Sequence, residues 1–398
     1  MNFRNNKLIK IITLGVFLIF NIHGVTNFDT FIKKIPKKDP PKTHHNKSIS
    51  LPEYEDSVKE KISGKLDSIM KRFNKRQDFH GNILVAKNGK ILFENQVGYA
   101  DFSKRIKLEK DDVFQLASVS KQFTAVAILM LYEKGKLDLD DTVTKFYPDF
   151  PYKEVTIRHL LNHTSGLPQY FWLAEHEWDK QQPPSNADMM QMIADYKLMH
   201  YFKAGSRFDY SNTGYFVLAS LVEKISGKNY KDFVETSIFK PLQMNDSFVY
   251  RYGFDNMAEN QLWGYRIYRG WRHLKIGGTV NDAITGDKNI YSTTEDLFRW
   301  ITGLNSGKLI SKESLNLMYT KGKTRYNKDV PYGFGFRIDD KGEEIMIYHN
   351  GKWNGFSTSV RQYPESDLLV ITLEHSSFHS MKTLHSSIKN TVDTYFKE

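Results

Sequence analysis

Sequences typical of β-strands lie at both ends of this chain, and helical patterns fill its middle. Near the start, Ile83–Ala86 and Ile91–Phe93 flank the dipeptide Asn88-Gly89, which accepts the positive φ angles of a tight hairpin turn. Four further strand patterns follow late in the chain: Tyr332–Ile338, Glu344–His349, Phe356–Tyr363 and Leu368–Glu374. We therefore predict an α+β fold of the α/β sandwich type. Its antiparallel sheet would be formed from both ends of the chain and flanked by helices, with a large, mostly helical insertion at roughly 118–315.

Terminal helices are expected to complete the domain. From about Asp56, apolar residues recur at steps of three and four, as they do on one face of an amphipathic helix. A helical pattern at about 378–397 closes the chain. The folded domain is therefore predicted to span 57–398.

The first 56 residues differ from the rest in charge and hydrophobicity. The 398-residue chain carries 56 Lys and Arg against 46 Asp and Glu, and most of this excess lies before residue 48, where nine basic residues stand against two acidic ones. Basic residues precede an apolar run, an order typical of a signal peptide or an N-terminal membrane anchor over 1–25. The Lys- and Pro-rich stretch 26–56 is expected to be a solvated linker. We predict an exported protein, periplasmic or otherwise extracytoplasmic, which is either secreted or tethered to the membrane by its N-terminus.

The composition and the known motifs exclude many kinds of chemistry. The chain has no cysteine, so it can form no disulfide, thiolate zinc site or iron–sulfur cluster. Outside the N-terminal segment its charges nearly balance, which argues against nucleic acid as a partner. His159 and His163 have a spacing that can bind a metal on a helix, but no third ligand accompanies them. We expect no metal and no cofactor.

The strongest candidate for chemistry is the pair Ser118 and Lys121. A lysine three residues after a serine on a helix places its amine beside the hydroxyl, where it can act as the base for a nucleophile. The same spacing recurs at Ser68, Ser237 and Ser386, so the spacing alone is weak. The run that follows Lys121 is apolar on all sides and predicts a buried helix that opens at the serine. Burial and the positive helix end would lower the pKa of the lysine.

A second candidate is Tyr210-Ser211-Asn212, in a loop that leads into a predicted helix. A phenol beside a serine can relay a proton, and an Asn amide can hold both a lysine and a substrate amide. The alternative interpretation is structural. Tyr210 would then be a core residue, and Ser211 or Asn212 would cap the helix.

A third candidate, His349-Asn350-Gly351-Lys352, stands at the end of the predicted strand Glu344–His349. Gly351 would let a substrate approach the strand edge, whose backbone N–H groups could form half of an oxyanion hole. These four residues are also typical of a simple turn.

In this order, the three candidates resemble the serine beta-lactamase and penicillin-binding protein family, and the triplet Tyr-Ser-Asn points to its class C-like branch. The resemblance covers about residues 70–375. Longer blocks similar to those of the family are Leu160–Pro168, Phe208–Tyr215 and Tyr291–Leu297. The resemblance implies a beta-lactamase/transpeptidase-like fold.

The resemblance also implies roles for individual residues. Ser118 would attack a carbonyl and form an acyl-enzyme, while Lys121 and Tyr210 would share its proton and later activate the deacylating water. Asn212 would hold Lys121 and the acyl amide of the substrate. The oxyanion would be bound by the backbone N–H groups of Ser118 and Lys352. His349 takes the place of the lysine in the family's Lys-Thr-Gly motif.

The expected function is an exported serine hydrolase that acts on an ester or amide, resembling D-alanyl carboxypeptidases, D-aminopeptidases or esterases. Its substrate would be a small or peptide-like molecule, and molecules derived from the cell wall are among the candidates. The alternatives are a class C-like beta-lactamase, which the exchange of lysine for His349 disfavours, and a penicillin or wall sensor without turnover. Specificity is expected to lie in the irregular stretches around 170–186 and 263–279. The sequence leaves the oligomeric state open.

Overall fold

The fold is organised around one six-stranded antiparallel sheet. The structure, a computed structural model, describes residues 51–178 and 182–397. The strands are β1 (Gly81–Lys87), β2 (Lys90–Val97), β3 (Tyr99–Asp101), β4 (Ile106–Lys107), β5 (Phe114–Gln115), β6 (Phe248–Val249), β7 (Tyr265–Tyr268), β8 (Arg272–Lys275), β9 (Ile290–Ser292), β10 (Arg337–Asp339), β11 (Met346–Trp353), β12 (Phe356–Tyr363) and β13 (Leu368–Glu374). The main sheet has the order β10-β11-β12-β13-β1-β2, so the two ends of the chain meet where β13 pairs with β1. The predicted α+β fold with a sheet built from both ends is confirmed.

Helices cover both faces of this sheet. They are α1 (Asp56–Gln77), α2 (Lys121–Glu133), α3 (Ile157–Leu161), α4 (Phe171–His176), α5 (Asn186–Tyr196), α6 (Asn212–Ser226), α7 (Tyr230–Val234), α8 (Lys240–Leu242), α9 (Thr294–Asn305), α10 (Lys312–Tyr319) and α11 (Met381–Lys397). Helices α1 and α11 pack together on one face, whereas α9 crosses β1 and β13 on the other. The predicted helices at both ends of the domain are therefore present.

The strand residues alternate between two apolar cores. Ile83 and Val85 join the smaller core beneath α1 and α11. Their neighbours Leu84 and Ala86 join the larger core, which also contains α2 and α6. Because successive side chains point to opposite faces, a strand covered on both sides must be apolar at almost every position. This explains the nearly unbroken apolar run of β13, Leu368–Glu374.

The predicted hairpin is confirmed. β1 and β2 pair around Asn88 and Gly89, whose φ angles of 50° and 69° are those of a left-handed turn. The strands predicted at Phe356–Tyr363 and Leu368–Glu374 have the observed bounds of β12 and β13.

The strand predicted at Tyr332–Ile338 is mostly wrong, since β10 begins only at Arg337. Two glycines interrupt this stretch. Gly335 has a φ of 76°, and a Cβ there would lie 2.8 Å from the Cα of Gln122. The chain therefore leaves the sheet to pack its backbone directly against α2, which only glycine permits.

The region expected to be helical also contains strands. β6 and β9 form a three-stranded sheet with β5, and β7 pairs with β8 in a hairpin that lies within the irregular stretch predicted at 263–279. These strands have two to four residues each, too few for a period of two to stand out in the sequence.

The predicted signal or anchor segment 1–25 lies outside the described residues, as does most of the predicted linker 26–56. Within residues 51–178 and 182–397, we find no helix with the length and apolar character needed to cross a membrane.

Candidate active site

Ser118 lies in a short 3-10 turn, Ala117–Ser120, between β5 and α2. The α-helix itself begins at Lys121, so the expectation that Ser118 opens the helix is off by one turn. Ala117 has a φ of 48°, an unfavourable angle for a residue with a side chain. Such local strain is common where a reactive group must be held in one position.

The strand β11 holds this turn from one side. A Cβ at Gly351 would lie 2.2 Å from the carbonyl oxygen of Leu116 and 3.0 Å from the Cβ of Ala117. From the neighbouring strand, the hydroxyl of Thr358 donates to the same Leu116 oxygen at 2.7 Å. Gly351 is therefore required for the close approach between the sheet and the turn that carries Ser118.

The amine of Lys121 is buried and makes three hydrogen bonds. Its Nζ donates to Ser118 Oγ at 3.1 Å, to Asn212 Oδ1 at 2.8 Å and to the backbone oxygen of Asp287 at 2.8 Å. All three acceptors are uncharged. Within the described part of the chain, no carboxylate oxygen lies within ion-pair distance of this amine.

Burial lowers the pKa of Lys121 to about 7. The nearby charge of Asp287 raises this pKa, and that of Arg337 lowers it further. An amine with a pKa near neutrality is unprotonated in a large fraction of molecules at pH 7, and it can then accept a proton from a hydroxyl within hydrogen-bonding distance.

Tyr210 lies over the same amine. The Lys121 nitrogen is 5.1 Å from the centre of the Tyr210 ring, and the Arg337 guanidinium carbon is 5.0 Å from it. Burial raises the pKa of Tyr210, although the Ser118 hydroxyl and the Arg337 charge oppose this shift. The phenol oxygen has no hydrogen bond of normal geometry within the described residues. At neutral pH Tyr210 is therefore a protonated phenol with its O–H available.

The structural interpretation of Ser211 is confirmed, because its hydroxyl accepts the Gly214 N–H and caps α6. Asn212 is the first residue of that helix, and its side chain faces Lys121. The ring of His163 packs against Tyr210 at 4.2 Å, and its Nδ1 accepts the Ser211 N–H. His163 follows the end of α3 with a φ of 59°, so the prediction that His159 and His163 share a helix is wrong.

The segment His349–Lys352 lies inside a strand. The predictions of a strand end and of a turn at this position are both wrong, because β11 continues to Trp353 and turns at Asn354 and Gly355. β10 pairs only with Met346–Tyr348, so beyond this point β11 is free of β10 and lies against the turn that carries Ser118. Lys352 is exposed at this edge, with its amine 3.3 Å from His379 Nδ1.

His349 is buried and uncharged. Its Nδ1 lies 2.7 Å from the carbonyl oxygen of Asn350, which can only accept, so this nitrogen carries the proton. Its Nε2 must then accept from the Tyr332 hydroxyl at 2.9 Å. Burial, with help from the charges of Lys121 and Arg337, holds the pKa of His349 well below its usual range. His349 therefore cannot supply the positive charge that a lysine would carry here.

Arg337, which no sequence pattern singled out, supplies a permanent charge near the site. It lies at the start of β10, over the rings of both Tyr210 and Tyr332. The only signal in the sequence was an arginine within an otherwise aromatic and glycine-rich run, Tyr332–Ile338.

A second buried lysine, also missed, lies on the other side of Asp287. The Lys288 amine donates to both carboxylate oxygens of Asp287 and to the Tyr170 hydroxyl. The rings of Tyr170, Phe171 and Trp353 surround it at 5.1 to 5.2 Å. In the sequence, Asp287 and Lys288 are only two adjacent charged residues shortly before β9, and no pattern marks them as buried.

Away from this site, Asp78, His80 and His273 form a group of the kind that can hold a metal ion. His80 Nδ1 accepts the backbone N–H of Tyr99, so its proton is on Nε2, the atom that faces Asp78. A protonated nitrogen cannot ligate a metal, and this hydrogen-bond pattern favours a structural cluster.

Together, the fold and the arrangement around Ser118 are those of a beta-lactamase/transpeptidase-like protein. The chain matches the Beta-lactamase family model over residues 66–386, and it belongs to that family. This membership and the penicillin-binding relative described next support a serine hydrolase that works through an acyl-enzyme.

Individual relatives point in the same direction. The chain is 36% identical to "Penicillin-binding protein 4*" of Bacillus subtilis (strain 168) over 320 residues, which are 78% of this chain and 71% of the relative. It is 28% identical to "Protein flp" of Staphylococcus aureus (strain MW2), of which it spans 58%. The structure of a penicillin-binding protein from Bacillus halodurans superposes with a TM-score of 0.71 at 27% identity, covering 82% of this chain and 98% of the other.

Proposed function

We propose that the protein hydrolyses an ester or amide through an acyl-enzyme on Ser118. The observation that carries this proposal is the 3.1 Å contact between Ser118 Oγ and a Lys121 amine whose pKa is about 7. A serine hydroxyl is a weak nucleophile unless an adjacent base removes its proton, and here the base stands in place and is partly unprotonated at neutral pH.

In the proposed mechanism Lys121 takes the Ser118 proton as the oxygen attacks the substrate carbonyl. Tyr210, which stays a neutral phenol, donates its proton to the leaving group and recovers one from Lys121. The backbone N–H groups of Ser118 and Lys352 bind the oxyanion. Water then enters and attacks the acyl carbonyl while Lys121 accepts its proton. As the bond to Ser118 Oγ breaks, Lys121 returns this proton to Oγ, and the acid product leaves.

The charges around the site favour a substrate with a carboxylate. His349 is neutral and Arg337 is permanently charged, so the guanidinium over the Tyr210 ring is the cation that we expect a substrate carboxylate to meet. This arrangement fits a carboxypeptidase-like or D-aminopeptidase-like enzyme that acts on small peptide-like substrates, including cell-wall fragments. We further propose that the protein is exported, in keeping with the basic and apolar order of residues 1–25.

Ser118→Ala tests the nucleophile. Loss of the nucleophile from such a catalytic unit reduces the rate on the order of 10⁶-fold, so hydrolysis of a chromogenic ester and labelling by a fluorescent phosphonate should both disappear. Ser68→Ala is the matched control, because Ser68 also precedes a lysine by three residues but lies exposed on α1. Phosphonate labelling that persists in Ser118→Ala would contradict the assignment.

A panel of substrates tests the finer assignment. Nitrocefin, a D-Ala-D-Ala peptide, a D-amino-acid anilide and short acyl esters represent the main classes, and we expect turnover of the substrates with a free carboxylate to depend on Arg337. A labelled penicillin that forms a stable stoichiometric adduct, with no turnover of any member of the panel, would instead indicate a sensor.

A further inference from the structure

The β7–β8 hairpin presents a basic and aromatic surface to solvent. Its strands pair so that Arg266 stands opposite Leu274 and Tyr268 opposite Arg272. Because side chains alternate along a strand, these four residues share one face. The hairpin turns at Arg269 and Gly270, which both have positive φ angles, and Trp271 follows at the tip.

The hairpin has basic side chains and no acidic ones. Residues 263–278 contain four Arg and Lys side chains and no acidic residue. Lys275 pairs with Asp101 at 3.0 Å, but none of the three arginines has an ion pair with any described residue. Arg266, Arg269 and Arg272 are all exposed. The hairpin therefore offers three uncompensated guanidinium groups within a few residues.

Large apolar side chains are exposed among these charges. Trp271 is 73% exposed, and Tyr268, which shares a face with Arg266 and Arg272, is 40% exposed. A single exposed apolar residue is ordinary on a protein surface, whereas here a tryptophan and a tyrosine are exposed together at the tip of a hairpin.

The inner face of the hairpin is fixed to the body of the protein. His273 Nε2 is 2.6 Å from a carboxylate oxygen of Asp78, and the Phe102 ring stacks on the His273 ring at 3.7 Å. At its base, the Tyr265 N–H donates to the backbone oxygen of His375. The outer face is therefore held in one orientation and is not covered by any described part of the chain.

We infer that this hairpin docks the domain on the surface of an anionic phospholipid bilayer. Arginines attract the negative headgroups, and Trp and Tyr prefer the interface between headgroups and acyl chains. A purely polyanionic polymer would use the arginines but would leave Trp271, the most exposed aromatic side chain of the hairpin, without an apolar partner. The base of the hairpin adjoins the turn at Asn354 that follows β11, so docking would place the Ser118 site close to the membrane surface.

The charge requirement is tested with the full-length chain and vesicles of phosphatidylglycerol and phosphatidylcholine. The triple variant Arg266→Gln, Arg269→Gln, Arg272→Gln should bind these vesicles about 100-fold more weakly, since each basic residue near an anionic surface contributes a factor of about five. The control variant Lys308→Gln, Lys312→Gln, Lys341→Gln removes the same charge from exposed positions elsewhere and should bind as the wild type does. An equal loss in both variants would overturn the proposal.

The position of Trp271 is tested by quenching with brominated lipids. Wild-type fluorescence should be quenched more than that of Trp271→Phe, even if another segment also holds the chain on the vesicle. Equal quenching in the two proteins would overturn the proposal. If the arginine variant also loses binding to polyphosphate and Trp271 shows no quenching, the hairpin binds an anionic polymer instead of a bilayer, which would equally refute it.

Discussion

Two buried lysines lie on opposite sides of Asp287, and they have very different partners. Lys121 donates hydrogen bonds to the backbone oxygen of Asp287, to Ser118 and to Asn212, all of them uncharged acceptors. Lys288 donates to the carboxylate of Asp287 and is surrounded by aromatic rings. Burial lowers the pKa of both amines, but only Lys288 has a direct counter-charge that opposes the loss of its proton.

This difference shows that burial alone does not make a lysine into a base. A buried ammonium beside a carboxylate forms an ion pair that stabilises the charged form. A buried ammonium among uncharged oxygens can be held in position and still release its proton. Asp287 therefore contacts both lysines. Its carboxylate binds Lys288, the structural cation, and its backbone oxygen binds Lys121, the proposed catalytic amine.

Lys121→Met is the strongest test of the different roles of the two lysines. We expect kcat/KM to fall about 10⁴-fold, because the proposed base is lost. The free energy of unfolding should change much less than in the Lys288 variant below, because no buried carboxylate loses its partner and removal of a buried amine offsets the hydrogen bonds lost at Asn212 and Asp287. Steady-state kinetics and chemical denaturation measure the two effects. Activity that survives in Lys121→Met would move the role of base to another group.

Lys288→Met should show the opposite pattern. Asp287 would keep a buried charge without its partner, so we expect the free energy of unfolding to fall by about 3–5 kcal/mol. kcat/KM, measured at a temperature where the variant is folded, should change much less than in Lys121→Met. A large loss of activity without loss of stability would instead assign Lys288 a part in proton transfer.

Arg337→Gln tests, with a smaller expected effect, whether the charge of Arg337 lowers the pKa of Lys121. With Lys121 as the base, wild-type kcat/KM should fall about tenfold per pH unit below a pKa of about 7 and level off above it. The positive charge of Arg337 lowers the pKa of Lys121, so its removal should move this acidic limb to higher pH and reduce activity several-fold on the acidic side. Arg158→Gln, whose partner is the exposed Asp140, serves as the control. An unshifted limb would show that Arg337 does not act on Lys121.

Much of the fold could be predicted from local patterns. The turn residues Asn88 and Gly89 and the apolar runs of β12 and β13 carry their signals within a few neighbouring residues. β10 could not be placed, because Gly335 is needed for contact with α2, which lies far away in the sequence, and Gly333 packs its backbone against the end of α10. The continuation of β11 through Gly351 could not be predicted either, because this glycine serves a distant contact with Leu116 and Ala117 and does not form a turn.

Residue type and spacing were enough to identify the candidate residues: a serine and a lysine three positions apart, a Tyr-Ser-Asn triplet, and a glycine between His349 and Lys352. These are local patterns, and their chemistry follows from residue type and spacing. The electrostatics of the site depend on the folded chain. Lys121 and Asp287 are 166 residues apart in the sequence, and only folding brings Arg337 over the ring of Tyr210. The pKa of a buried amine is set by the charges that folding brings near it, and sequence spacing does not record those distances.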